Sequence, residues 1–170
     1  MTDTDTAPDQ QGEKINTFSM DVKAQYIKDM SFENPKAPAS FRSDIRPEKE
    51  MVVNVHARKL EDNIFEVSLL LNIKGVFENE KIFIVELDYA GVFQLENVRP
   101  YQLEYVLMVE CARLLFPFAR QIIAQVTAGG GYPSLNIQPI NFLAIFQKNK
   151  LKRQETDRND LAVTKTDGNA

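Results

Sequence analysis

The stretch from Leu103 to Phe146 constrains this chain more than any other. It reads LEYVLMVECARLLFPFARQIIAQVTAGGGYPSLNIQPINFLAIF. Leu103, Leu107, Cys111, Leu114, Leu115, Phe118, Ala119, Ile122, Ile123 and Val126 recur at the i, i+3, i+4 spacing of a helical stripe. The stripe runs for about six turns at ~3.6 residues each. Glu104, Glu110, Arg113, Arg120, Gln121 and Gln125 take the other side. Pro117 falls inside the stripe, lacks an N–H and sets its ring against the carbonyl of Arg113, which predicts a kink. Gly129, Gly130 and Gly131 end the helix, because glycine readily takes left-handed C-cap geometry. A second, shorter helix begins after Pro139, with Pro139 or Asn141 near its first turn, and presents Ile140, Leu143, Ala144 and Phe146, with Phe142 on the edge. The loop between the helices is itself apolar, which predicts a surface that something else must cover.

Upstream the period changes from helix to strand. Phe18, Met20, Val22 and Ala24 alternate with Ser19, Asp21 and Lys23, and the alternation continues through Met30 and Phe32. Asp29, Ser31 and Glu33 then point to the opposite face. At ~3.3 Å per residue, Asp29 and Glu33 lie ~13 Å apart, too far to act as an acid/base pair on one bond. Asn34-Pro35-Lys36-Ala37-Pro38 breaks the strand, and an extended connection runs to Pro47. A second strand starts near Met51, with Met51, Val53 and Val55 on one face and Val52, Asn54 and His56 on the other. A third, from Ile64, sets Phe65, Val67, Leu69, Leu71 and Ile73 against Glu66, Ser68, Asn72 and Lys74, with Leu70 the exception. A short hairpin at Phe77 to Lys81 leads to a fourth, Ile82 to Tyr89. Strands first and helices after predict an α+β fold: a four-stranded antiparallel sheet with one apolar side, a long kinked helix and a shorter C-terminal helix.

The two ends carry little to bury. Residues 1–16 and 148–170 read as disordered tails around a single domain, 17–147. The net charge of -4 argues against nucleic acid or an anionic membrane as the main partner. One cysteine cannot form an internal disulfide, and the N-terminus has neither the basic nor the apolar region of a signal peptide. No apolar run approaches the ~20 residues of a membrane span. A cytoplasmic protein is expected.

The chain carries few groups suited to chemistry. His56 is the only histidine and shares its strand face with Val52 and Asn54, which makes a poor metal ligand or triad member. Cys111 sits on the apolar stripe as a structural thiol. The glycine run follows a helix and has no lysine at Walker spacing, so it reads as cap and hinge rather than phosphate cradle. No catalytic constellation, metal site or cofactor motif emerges.

The residues that remain carry a family resemblance. Leu115-Phe116-Pro117-Phe118-Ala119-Arg120, followed by the run from Tyr132 to Phe142, resembles the LFPYAR and FPxLNLxPVNF signature of SecB, the bacterial protein-export chaperones. It extends to the run from Tyr26 to Pro35, to Ile64-Phe65-Glu66-Val67 and to Ile84-Val85-Glu86, so it covers about residues 20–147 in order. The glycine-rich hinge and the net-basic C-terminal tail depart from the pattern. The resemblance implies an ATP-independent holdase, a dimer of dimers, that keeps precursor proteins unfolded and passes them to the export motor SecA. In that family acidic and apolar residues of the flat sheet face contact SecA, and the matching positions are Asp29, Glu33, Ile84 and Glu86.

A holdase needs apolar surface for extended chain. One large apolar side chain contributes ~1.5–3 kcal/mol on burial, so affinity must come from many weak sites. Candidates for a client groove are Phe118, Phe142, Phe146, Met51 and Val53, with Tyr132 and Leu135 behind them; the same spacing also describes ordinary core. Val85, Leu87 and Tyr89 are candidates for the subunit interface or the groove. Two other classes fit the pattern: a plain interaction or scaffold protein, and an enzyme with an apolar ligand cavity, for which no acid, base or nucleophile was found.

Overall fold

The computed structural model describes residues 18–42 and 44–166, with side chains of the last helix up to Glu155. The N-terminal tail expected at residues 1–16 lies outside the described residues. Four strands, β1 (Ser19–Glu33), β2 (Glu48–Glu61), β3 (Ile64–Phe77) and β4 (Glu80–Glu96), form one antiparallel sheet in the order β1-β4-β3-β2. The β3–β4 hairpin closes on Glu78-Asn79, both with positive φ, the two-residue turn whose twist matches that of its strands. β4 runs seven residues beyond Tyr89, because Ala90 to Gln94 go on pairing with both neighbours and Leu95 and Glu96 with β1.

Two irregularities interrupt the alternation of β1, so Ala24, expected on the face of Met20 and Val22, lies on the opposite one. The register shifts between Val22 and Ala24 and again between Ile27 and Asp29. The first turns Gln25 and Ile27 toward the face of Met20 and Val22, and puts Ala24 and Tyr26 on the other. The second restores the original parity, so Met30 and Phe32 face the same way as Met20.

One face of the sheet, here the inner face, is covered by a continuous helix in three parts: α1 (Pro100–Tyr105), a wider π segment (Val106–Cys111) and α2 (Ala112–Gly129). The departure from α-helical hydrogen bonding lies at Val106–Cys111, upstream of Pro117, which sits within α2. Val106, Val109, Ala112, Leu115, Ala119 and Ile123 bury against Val67, Leu69, Leu71, Val85, Leu87 and Phe93. Cys111 is also buried, with its Sγ 3.4 Å from Met20 Sδ; burial pushes the thiol pKa up to about 12, so it stays protonated.

The end of α2 is a Schellman cap. Gly131, at φ +88°, donates to the Ala128 carbonyl at 3.1 Å, and Tyr132 donates to that of Thr127 at 3.1 Å. The preceding glycine serves packing: a Cβ on Gly130 would stand 2.1 Å from the Phe32 ring. Tyr132 then turns inward between Phe41 and Phe83, at centroid distances of 5.4 and 4.9 Å. Its hydroxyl donates to Asn34 Oδ1 at 2.7 Å, with Ser40 Oγ at 2.9 Å. The loop after it folds back along α2. Leu135 N–H donates to the buried Thr127 Oγ1 at 3.0 Å, and Arg120 donates to the Ile137 carbonyl at 3.4 Å. Leu135 and Ile137 thereby enter the core, and the apolar loop finds its cover within its own chain.

Asn141 caps the next helix, accepting from Ala144 N–H at 3.0 Å. That helix, α3, spans Phe142–Thr166. The segment from Lys148, expected as a disordered tail, is therefore helical as far as Thr166. No proline or glycine interrupts it before Gly168, and Lys148, Lys150, Leu151, Lys152, Arg153, Gln154 and Glu155 all favour helix. Once Phe142 and Phe146 are packed, each further residue adds one hydrogen bond without a new nucleus, and no apolar stripe is required.

The outer face of the sheet holds one charged group that is almost fully buried. Glu66, 4% exposed, accepts from the Tyr26 hydroxyl and from Arg58 Nε, with Lys28 Nζ at 3.0 Å. Arg58 stands directly opposite it on β2, while Tyr26 and Lys28 reach over β4 from β1. Arg58 and then Tyr26 hold the Glu66 carboxyl at about 2, and the same carboxylate pushes the Tyr26 hydroxyl up to about 12. The folded pKa of Glu66 lies below its ordinary value. Its stabilising contribution is thus complete above the ordinary carboxylate range and is lost as pH falls toward 2. Glu66→Gln should lower the urea midpoint at neutral pH and flatten its decline between about pH 4.5 and 2 relative to the unsubstituted chain. Parallel declines for the two proteins would show that the cluster does not act this way.

Candidate functional site

Three surfaces meet the requirements of a binding protein. The first is the outer sheet face. Cross-strand pairing sets Glu33 against Ile84, Ser31 against Glu86 and Asp29 against Asp88, so β1 and β4 bring Asp29, Glu33, Ile84 and Glu86 together. Glu86 accepts from Asn72 on β3. Asp29 lies across from a second carboxylate, and one Asp88 oxygen is buried without a hydrogen-bond partner. Two like charges directly opposite each other destabilise an isolated sheet, and Lys74, across from Ile84, is the nearby cation in the same lining. Leu70 and Val52 give the shallow depression beside it an apolar lining.

The second surface is apolar. β1 is an edge strand, and the long helix covers β3 and β4 instead, so that between Met20 and Phe32, which pack at its two ends, the inner face of β1 lies open. Ile27 is 48% exposed and Met30 42%, and both neighbour residues of β4 that lie under the helix, Tyr89 and Leu87. From the helix side Phe118, also 48% exposed, stacks over Tyr89 at 6.4 Å, and Leu114 is exposed one turn earlier. Val85, Leu87 and Tyr89, expected at a subunit interface or groove, are themselves buried beneath α2. Their side chains already fill the protomer core, and the accessible apolar surface belongs to their neighbours.

The third surface is a groove of about 510 Å³ between β2, the other edge strand, and the start of the helix. Val55 and Ala57 form one wall; Pro100, Leu103, Leu107 and Met108 form the other. Met51 and Val53 continue the same strand face, Met51 exposed and Val53 half-buried. The other expected groove residues are placed differently. Phe142, 1% exposed, packs edge-on against Phe116 at 5.8 Å, and Leu135 is 5% exposed, so both belong to the core. Phe146 is half-buried against Tyr105 at 6.3 Å, and Tyr132 anchors the β1–β2 connection. Leu103 and Leu107 belong to the helical stripe and Met108 lies beside it; a stripe identifies a helix face without saying where its cover ends.

Among the described residues no group of three His, Cys, Asp or Glu side chains is placed to hold a metal ion. No described helix is long and apolar enough to cross a membrane. His56 is exposed on the outer face, away from any such grouping.

Comparison with known proteins matches residues 13–153 to the family described as preprotein translocase subunit SecB. The chain is 49% identical over 131 residues to the protein-export protein SecB of Mesorhizobium japonicum, covering 76% of this chain and 78% of that one. With the SecB of Hyphomonas neptunium it shares 44% over 163 residues, 94% and 96% of the two chains. Among solved structures, the SecB-like chaperone of Mycobacterium tuberculosis, in complex with a peptide of an antitoxin, has the same fold at a TM-score of 0.60. That match has 10% identity and covers 71% of this chain and 90% of the other. With the family model spanning the whole sheet and helix, and relatives aligned over 78% and 96% of their own length, the chain belongs to the SecB family.

Proposed function

We propose that this chain is an ATP-independent holdase of the cytoplasm that keeps precursor proteins unfolded and hands them to the SecA motor. Family membership carries the reading, and the surfaces support it: two apolar regions that the protomer leaves uncovered, and one acidic face set apart from both. Unfolded chain is selected because folded proteins rarely offer long apolar segments, while many weak contacts along one chain sum to useful affinity. Clients lie along the β2 groove, on Met51, Val53, Val55, Leu103 and Leu107, with Phe146 behind it.

SecA docks on the outer face through Asp29, Glu33, Ile84 and Glu86. Charges on a rim set orientation and association rate more than final affinity and are screened by salt. The assembly is a homotetramer, a dimer of dimers, in which the patch of Ile27, Met30, Leu114 and Phe118 supplies one of the two kinds of contact such an assembly needs; this gives Phe118 to the interface rather than to the groove. Each large side chain covered there contributes ~1.5–3 kcal/mol, enough in sum to hold subunits together.

The deciding experiment is suppression of aggregation of a denatured polypeptide without nucleotide. Suppression at stoichiometric amounts is expected; its absence would leave a scaffold protein as the better reading. Glu33→Lys or Glu86→Lys should weaken SecA binding several-fold at moderate salt and leave suppression intact. Equal SecA affinity would remove those residues from the docking face. Light scattering at micromolar concentration should report four times the 19.4 kDa chain mass, and Ile27→Asp should shift it downward. A monomeric mass for the unsubstituted chain would contradict the assembly.

A further inference from the structure

The groove beside β2 is not a single depression. A second one, of about 280 Å³, lies next to it and is lined by Asn54, Val55, His56, Met108, Asn149, Lys152 and Arg153. Val55, His56, Met108 and Arg153 line both. Both therefore belong to one groove along the edge strand, and α3 beyond Gln147 crosses it. Arg153 Nη1 donates to Glu104 Oε1 at 2.8 Å, tying α3 to the opposite wall. The crossing segment is basic, with Lys148, Lys150, Lys152 and Arg153 against Glu155, and its one large apolar residue, Leu151, is 61% exposed. Charge rather than buried surface holds it in place, whereas the start of the same helix is anchored by Phe142 and Phe146 in the core. A contact between two half-exposed charges is weak and falls away as salt shortens the Debye length.

We propose that α3 from Lys148 onward is a gate on the client groove, latched by Glu104 and Arg153, and that it competes with unfolded chain for the same place. The inference rests on the reading of this groove as the client site. Closed, the gate divides an apolar surface that would otherwise lie open along a free strand edge, the kind of surface that recruits unwanted strands. Released, it joins the two depressions into one channel that suits an extended chain.

The test is equilibrium binding of a fluorescently labelled, permanently unfolded polypeptide to the full chain at low and high salt. Glu104→Gln and Arg153→Ala should each bind it about 2–5-fold more tightly at low salt, the range expected for an exposed ion pair. The gain should shrink toward 1 M salt, where the Debye length is about 3 Å. The exchange Glu104→Arg with Arg153→Glu should return affinity to that of the unsubstituted chain, which a general loss of surface charge would not do. Binding unchanged or weaker in both single variants, or no recovery in the exchange, overturns the gate while leaving the holdase reading intact. Failure of the unsubstituted chain to bind the probe overturns both.

Discussion

The helix from Pro100 to Gly129 packs on β3 and β4 and leaves the flanks of the sheet partly bare. Strand axes lie ~4.8 Å apart, so four strands span about 14 Å between the outer two, whereas one helix with its side chains is about 10 Å across. A single helix laid along the middle pair therefore cannot cover the apolar side chains of both edge strands. That mismatch leaves Ile27 and Met30 exposed on β1, and it opens the groove by Val55 and Ala57 on β2. An ordinary globular domain would add a second helix on each flank. Here the space on one side is bordered only by the basic end of α3, and on the other by solvent.

The rest of the protomer braces the middle. Thr127, fully buried, bonds back to the Ile123 carbonyl at 2.9 Å and accepts from Leu135 N–H, so one hydroxyl joins α2 to the loop that follows it. Tyr132 extends the brace to the β1–β2 connection through Asn34 and Ser40. The glycines between them serve geometry: Gly131 takes the left-handed turn and Gly130 makes room for Phe32. On the opposite face Glu66 gathers donors from both edge strands, β1 and β2, with a buried carboxylate fully met by partners. Rigid centre and open flanks are two results of the same arrangement.

The acidic corner at Asp29, Glu33, Glu86 and Asp88 stands on the face away from both apolar flanks. The groove and this corner therefore open in different directions from the sheet. The two β1 bulges matter here: without the second, Asp29 and Glu33 would have pointed inward, on the same face as Gln25 and Ile27.

The amino-acid sequence alone determined the strand faces of β2, β3 and the first half of β4, the helical stripe, the glycine stop and the family signature, because each depends on local period or local chemistry. Asp29, Glu33, Ile84 and Glu86 were grouped by the family resemblance, and the bulged register of β1 against β4 sets them on one face. Only the tertiary structure decided which apolar residues are core. Val85, Leu87, Tyr89, Leu135 and Phe142 were candidates for exposed surface and are buried, while Leu114 and Phe118, on the same stripe as Leu115, are open. Periodicity names the face of an element; whether that face is covered depends on how far the neighbouring element reaches, and no local pattern encodes that distance. The same reason hid the α3 crossing. Its helix lacks an apolar stripe, and Glu104 and Arg153 stand 49 residues apart until the chain folds them together.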